Sequence, residues 1–176
     1  MSNQDRPIKD VSYISKINKT RVLKLIRERR TLSRSDIAKE IGLSLPTVSR
    51  LVDSLVHSER LLREMGARST SRGRPPHLVS FAGDRNFVIG MSLGRVHISA
   101  VLTDLDANLI AEQRIPTDAQ KGFRSVVRRS ANLVKKLISN SDVDPGCVLG
   151  VGVAVGGLVD AERNRVIYSA TLGWEN

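Results

Sequence analysis

Cysteine is nearly absent: Cys147 is the single one among 176 residues. No internal disulfide can form, and the Cys/His sets that build structural zinc sites are missing. Histidine is equally sparse, with His57, His77 and His97 scattered rather than grouped at metal-ligand spacing. Long apolar runs are also lacking. The nearest one, "VLGVGVAVGGLV" at 148–159, is rich in glycine and well short of the ~20 residues that span a bilayer. The N-terminal "MSNQDRPIKD" has no apolar stretch of the kind a signal peptide needs. These absences predict a cytoplasmic protein with no membrane partner, no metal and no cofactor.

What the chain has in excess is positive charge, a formal +10 with pI near 10.5. The excess is not evenly spread. Residues 1–80 hold 17 Lys and Arg against 8 Asp and Glu, whereas the remainder holds 11 against 10. Such asymmetry points to an N-terminal part that meets a polyanion and a C-terminal part with another task. The length suits one ordinary domain with its own core, or a small domain joined to part of a larger one.

Residues 1–13 read as a flexible N-terminus, and 14–82 as one domain. From Ile14 to Arg30, the residues Ile14, Ile17, Val22, Leu25 and Ile26 recur at helical spacing. "TLSRSDIAKEIGLSLPTVSRLVDSLV" then carries specific punctuation. Ser33 followed by Asp36 is a capping-box pattern, and Gly42 can end the short helix in the left-handed conformation. Ser44 can cap the next helix, with Pro46 in its first turn. Val48, Leu51, Val52, Leu55 and Val56 form an apolar face, leaving Thr47, Ser49, Arg50, Asp53 and Ser54 on the other. A capped helix, a glycine turn and a longer helix with small hydroxyls and an arginine near its start make a helix-turn-helix. Short side chains let the second helix approach base edges, and Arg50 offers a fork for guanine or phosphate.

"RLLREM" at 60–65 and "PHLVSFA" at 76–82 read as a two-stranded hairpin, with Leu61, Leu62, Met65, Leu78, Val79 and Phe81 able to cover the bundle. Between them lies "GARSTSRGRPP", which has no apolar side chain larger than that of Ala67. It becomes the tip of a wing. Glycine allows close backbone approach and proline keeps the chain extended, so Arg72 and Arg74 around Gly73 can enter the negative minor groove of A·T-rich DNA. The alternative is a basic tether that only neutralises phosphates. The expected DNA-binding set is Ser33, Ser44, Thr47, Ser49, Arg50, Arg72, Gly73 and Arg74, with Lys19 or Arg21 on phosphates. The expected partner is double-stranded DNA.

From Asn86 the texture changes. "FVIGMSL", "VHISAVLT" and "LIAEQRI" read as three antiparallel strands. Residues 121–140 follow as an amphipathic helix with Phe123, Val126, Val127, Val134, Leu137 and Ile138 inward, then "VLGVGVAV" as a buried parallel strand. The glycines Gly90, Gly94, Gly150 and Gly152 read as close packing rather than a phosphate cradle.

The helix-turn-helix with "LSRSDIAKEIGLSLPTVSRLVDSL", the "RGRPP" wing, the "IGMSLGRVHISAVLTDLDANLI" hairpin, "GVGVAVGGLVD" and the late "LGW" together resemble the ROK family (repressors, open reading frames, sugar kinases), from about Asn18 onward. The resemblance is to its winged-helix repressors. It implies an α/β chain: a winged helix-turn-helix, then residues 83–176 as the incomplete first part of an actin-like domain of the sugar-kinase/Hsp70 type. It also implies a bacterial repressor of carbohydrate metabolism, nucleoid-associated when bound, controlled by a sugar or sugar-phosphate effector and homodimeric in a full-length relative. Two departures matter. Nucleotide-binding members open the first hairpin with an Asp for Mg²⁺ and phosphate, and Ser92 stands in its place; Gly156 and Leu158 stand where prolines are usual. The chain ends at "LGWEN", before the family's catalytic Asp, sugar-contacting Glu/His motif and zinc loop. The expectation is a non-enzyme, with a ROK sugar kinase or a non-specific DNA binder as the alternatives.

Overall fold

A computed structural model describes residues 11–66 and 77–175. The chain divides into two compact units, Met1–Ala82 and Gly83–Asn176.

In the first unit, α1 (Val11–Arg29) is followed by β1 (Thr31–Ser33), α2 (Arg34–Ile41) and α3 (Leu45–Asp53). The α3 rod continues as a π-helical turn over Ser54–Ser58, then β2 (Leu62–Met65) and β3 (Leu78–Phe81) pair antiparallel. Helix α1 starts at Val11, so residues 11–13 are helical rather than part of a flexible terminus, while residues 1–10 lie outside the described residues. The sheet is larger than the expected hairpin, because β1 pairs with β3 and gives the order β1-β3-β2. The core is built where the helical periodicities converge: Val22 and Ile26 from α1, Ile37 from α2, and Val48, Val52 and Leu55 are all 0% exposed. Each such side chain contributes about 1.5–3 kcal/mol by leaving water. Leu62 and Val79 close this core from the sheet, whereas Ile14, Ile17 and Met65, expected to help, are exposed. Ile14 and Ile17 lie in the first turns of α1, ahead of the part of the helix that the core reaches.

The second unit has the antiparallel meander β4 (Phe87–Leu93), β5 (His97–Asp104) and β6 (Leu109–Pro116). Helix α4 (Phe123–Ser139) then leads to β7 (Val148–Val155), which runs parallel to β4, giving the order β6-β5-β4-β7. Alternation along β4 and β5 places Ile89, Met91, Leu93, Ile98, Ala100 and Leu102 on one face. There they meet Val126, Leu133 and Leu137 of α4. The helix lies over β5 and β6. Two expectations therefore need correction. Strand β7 is at the sheet edge, away from α4, and its Leu149, Val151 and Val153 are exposed rather than buried; Phe123 and Val127 also face outward, and Leu133 takes an inward place. A second small antiparallel sheet, β8 (Leu158–Asp160), β9 (Arg165–Ser169) and β10 (Trp174–Glu175), has no counterpart in the sequence reading. Of the four glycines read as packed, Gly94 fits that reading best, since a Cβ there would stand 2.9 Å from the His97 carbonyl oxygen. Gly150 has open space around it. Among the described residues no helix is long and apolar enough to cross a membrane, and no three His, Cys, Asp or Glu side chains group to hold a metal ion.

Candidate nucleic-acid interface

The punctuation of α2 and α3 takes the forms its residue types favour. Ser33 is extended at the N-cap of α2; its Oγ accepts from the Asp36 amide at 3.1 Å and donates to the Asp36 carboxylate. Ser33 is only 5% exposed. Placed among the expected DNA contacts, it turns out to be a buried cap, because both its hydrogen-bonding roles are taken by the helix start. Gly42 ends α2 at φ +69°, and its Cβ position is empty space. The constraint at Gly42 is backbone conformation and not crowding. The Leu43 amide closes the turn on the Ala38 carbonyl at 3.1 Å.

Ser44 then caps α3, accepting from the Thr47 amide at 3.4 Å, and its hydroxyl lies 2.8 Å from the Thr47 hydroxyl. With Val48, Leu51 and Val52 turned into the core, the opposite side of α3 is left to Pro46, Ser49, Arg50 and Asp53. Arg50 is exposed and makes no side-chain hydrogen bond or ion pair among the described residues. Beside it, Ile14, Ser15, Asn18 and Lys19 of α1, Thr47 and Leu51 of α3 and Ser54 of the following π-helical turn line a groove.

Lys19 or Arg21 is expected on phosphates, and both have partners inside the protein. The Lys19 ammonium donates to Ser54 Oγ at 2.8 Å and pairs with Glu59 at 2.5 Å, which pins α1 to the turn after α3. Arg21 donates to the Ile41 carbonyl at 2.8 Å and so occupies the C-terminal end of α2.

Sequence reasoning missed Arg34. At the first position of α2, its guanidinium donates to Asp53 of α3 at 2.7 Å and to Glu64 of β2 at 2.5 Å. The same side chain reaches the Ser49 carbonyl at 3.5 Å. Burial lowers the pKa of Arg34, but the hydrogen bonds and charges of Asp53 and Glu64 outweigh it and leave the pKa raised. Arg34 therefore ties the exposed helix to the base of the wing. No local pattern announces it, because its partners lie 19 and 30 residues along the chain. At the wing, β2 and β3 are in register from Leu62↔Phe81 to Met65↔Leu78. Arg72, Gly73 and Arg74 lie outside the described residues. In the second unit, Ser92 is exposed on β4, paired with Ser99 of β5 and Ala154 of β7.

Comparison with known proteins agrees with this architecture. Residues 20–64 match the IclR helix-turn-helix domain. The xylose repressor of Caldicellulosiruptor bescii is 29% identical over 165 residues, covering 94% of this chain and 41% of that protein. The xylose repressor of Bacillus subtilis (strain 168) is 24% identical over 171 residues, covering 96% and 43% respectively. The Escherichia coli K12 DNA-binding transcriptional dual regulator NagC is 25% identical over 171 residues, covering 96% and 41%. Among solved structures, a ROK family transcriptional regulator described as a homologue of the E. coli MLC protein superposes with TM-score 0.75 at 23% identity, covering 93% of this chain and 41% of the other. Residues 20–64 thus match an IclR-type helix-turn-helix domain, and the chain is similar in sequence to these repressors and shares the fold of a ROK regulator. It spans about two fifths of the length of the curated relatives it matches.

Proposed function

We propose that the chain acts as a sequence-specific DNA-binding repressor of carbohydrate-metabolism genes, relieved by a sugar or sugar-phosphate inducer. The observation that carries this reading is α3: a helix capped by Ser44, seated on the core by Val48, Leu51 and Val52, and presenting Arg50 with no side-chain partner among the described residues. A helix held so firmly on one side, with its polar face open, has the shape required to enter a major groove. Ser44, Thr47, Ser49 and Arg50 would then meet bases and phosphates. The concentration of charge in the first 80 residues supplies the non-specific attraction that precedes reading.

Arg72 and Arg74, around Gly73, are proposed to reach the neighbouring minor groove from the wing. Occupation of an operator blocks transcription, and a ligand that favours another arrangement of the whole regulator releases it. Sugar control is transferred from relatives named as repressors for xylose and N-acetylglucosamine. Such a regulator would work in the bacterial cytoplasm on the nucleoid, as a dimer reading two half-sites. The role assigned is non-enzymatic, since Ser92 cannot supply the charge a phosphoryl-transfer site needs.

Selection of bound duplexes from a random pool tests the first half of the proposal. Enrichment of one motif, with affinity at least ~10³-fold above unrelated DNA, is expected. Equal affinity for every duplex, with equal salt slopes, would instead make the chain an architectural binder. The second half is tested by adding xylose, N-acetylglucosamine and their phosphates to the protein–DNA complex. Release by none of them would remove the sugar assignment.

A further inference from the structure

We propose that Leu45 reads the C5-methyl group of thymine in the major groove, which adds an apolar base contact to those expected of Ser44, Thr47, Ser49 and Arg50. This inference rests on α3 being the DNA-reading helix.

Leu45 is the first residue of α3, yet its side chain is 49% exposed. The core has no need of it, since Val48, Leu51 and Val52 already fill the inward face at 8% exposure or less. The polar groups beside it are partly engaged, with the Ser44 and Thr47 hydroxyls 2.8 Å apart and Ser44 also capping the helix. The first turn of α3 therefore presents an apolar branched surface where a recognition helix meets base edges. In the major groove, the thymine methyl is the apolar feature of the four bases, and contact with it distinguishes T·A from the other pairs.

Arg50 lies five positions further on. At ~1.5 Å of rise and about 100° of turn per residue, the two side chains are about 7.5 Å apart along the helix and about 140° apart around it. The half-site is therefore assigned a thymine read by Leu45 and a guanine read by the Arg50 fork.

The test uses the full chain and the duplexes it selects from a random pool. Each thymine of the selected site is replaced in turn by deoxyuridine, which pairs identically but lacks the methyl group. One position per half-site should lose about four-fold in affinity, the ratio expected for one buried methyl-sized group. Leu45→Ala should bind the unsubstituted site about four-fold less tightly and be indifferent to that replacement. Leu45→Met, which keeps an apolar side chain, should remain sensitive to it, and unchanged thermal melting of both variants excludes loss of the fold. Wild-type protein indifferent to every deoxyuridine would overturn the inference, as would Leu45→Ala retaining the wild-type sensitivity. Selection of no preferred duplex by the wild type would instead defeat the DNA-reading assignment and this inference with it.

Discussion

At the scale of single residues, the first unit separates positions that hold the fold from positions left free of it. Arg50 belongs to the second group, since it is exposed and has no hydrogen-bond or ion-pair partner among the described residues. Arg50→Ala is expected to leave the melting temperature unchanged and to weaken binding to the selected site by about 1–3 kcal/mol, the range for a specific base contact; a titration beside a melting curve checks both. Gly42 belongs to the first group. A Cβ there meets nothing within 4 Å, so Gly42→Ala isolates the cost of φ +69°. Destabilisation of roughly 1–2 kcal/mol is expected in a denaturant titration, with Gly42→Asn costing less. The caps were legible in the sequence because the signal is local: Ser33, Gly42 and Ser44 each act within four residues. The role of Ser33 was not fully legible, because a cap facing inward and a cap facing a phosphate share one local pattern.

At the scale of elements, the junction of α2, α3 and β2 is made by Arg34. Its carboxylate partners Asp53 and Glu64 are half to two-thirds covered, so the two pairs are more than surface contacts and less than a buried triad. Arg34→Met keeps the stem and removes the fork. It should cost about 1–3 kcal/mol of stability in a denaturant titration and, in a footprint, shorten protection on the wing side of the site while leaving protection by α3. Arg34→Lys should recover the stability only in part, because one ammonium cannot reproduce the planar fork.

The proposed minor-groove role of Arg72 and Arg74 is addressed by Arg72→Ala combined with Arg74→Ala. Binding should weaken most on sites with A·T-rich flanks, where the minor groove is narrow and most negative; an equal loss on G·C-rich flanks would make the stretch a basic tether. Elements with a sustained period, such as α3, β4 and β7, stood out in the sequence. The three-residue β1 and β8 and the two-residue β10 did not, since so few positions define no period. Nor could the apolar run of β7 tell that it would lie at an edge, because which strand α4 covers is decided by the packing of distant segments.

At the scale of the whole molecule, the two units divide the physical tasks. The first carries nearly all the net charge, and the DNA binding proposed for it should fall steeply with salt. The second depends on a different use of charge. Asp104 is buried at the end of β5, where its carboxylate accepts from the Asn108 side chain at 2.8 Å and from the Asn108 and Asp106 amides at 2.8 and 2.9 Å. The Asn108 side-chain hydrogen bond leads in holding its pKa below the usual carboxylate value, against burial, which pushes it up, with the two amides helping. A group with a depressed folded-state pKa stabilises above its unfolded value of about 3.9 and loses that contribution as pH falls through the folded value. Acid unfolding below about pH 4 is therefore expected to include a contribution from Asp104. Asp104→Asn should lower the melting temperature at pH 7 and flatten the acid limb of the melting profile, measured on the full chain.

The π-helical turn at Ser54–Ser58, closed by the Glu59 amide on the Ser54 carbonyl at 3.0 Å, gives the first unit a reserve of chain length. Such a turn holds more residues per rotation than an α-helix. It lies between the end of α3 and the start of β2, so one residue could leave this stretch as the turn tightens to α-helical form while the cap at Ser44 and the seat of Val48 stay in place. The spacing from α3 to the β2–β3 hairpin is thus adjustable at one point, and a lineage of such proteins could retune the reach of that hairpin there without rebuilding the helix that precedes it.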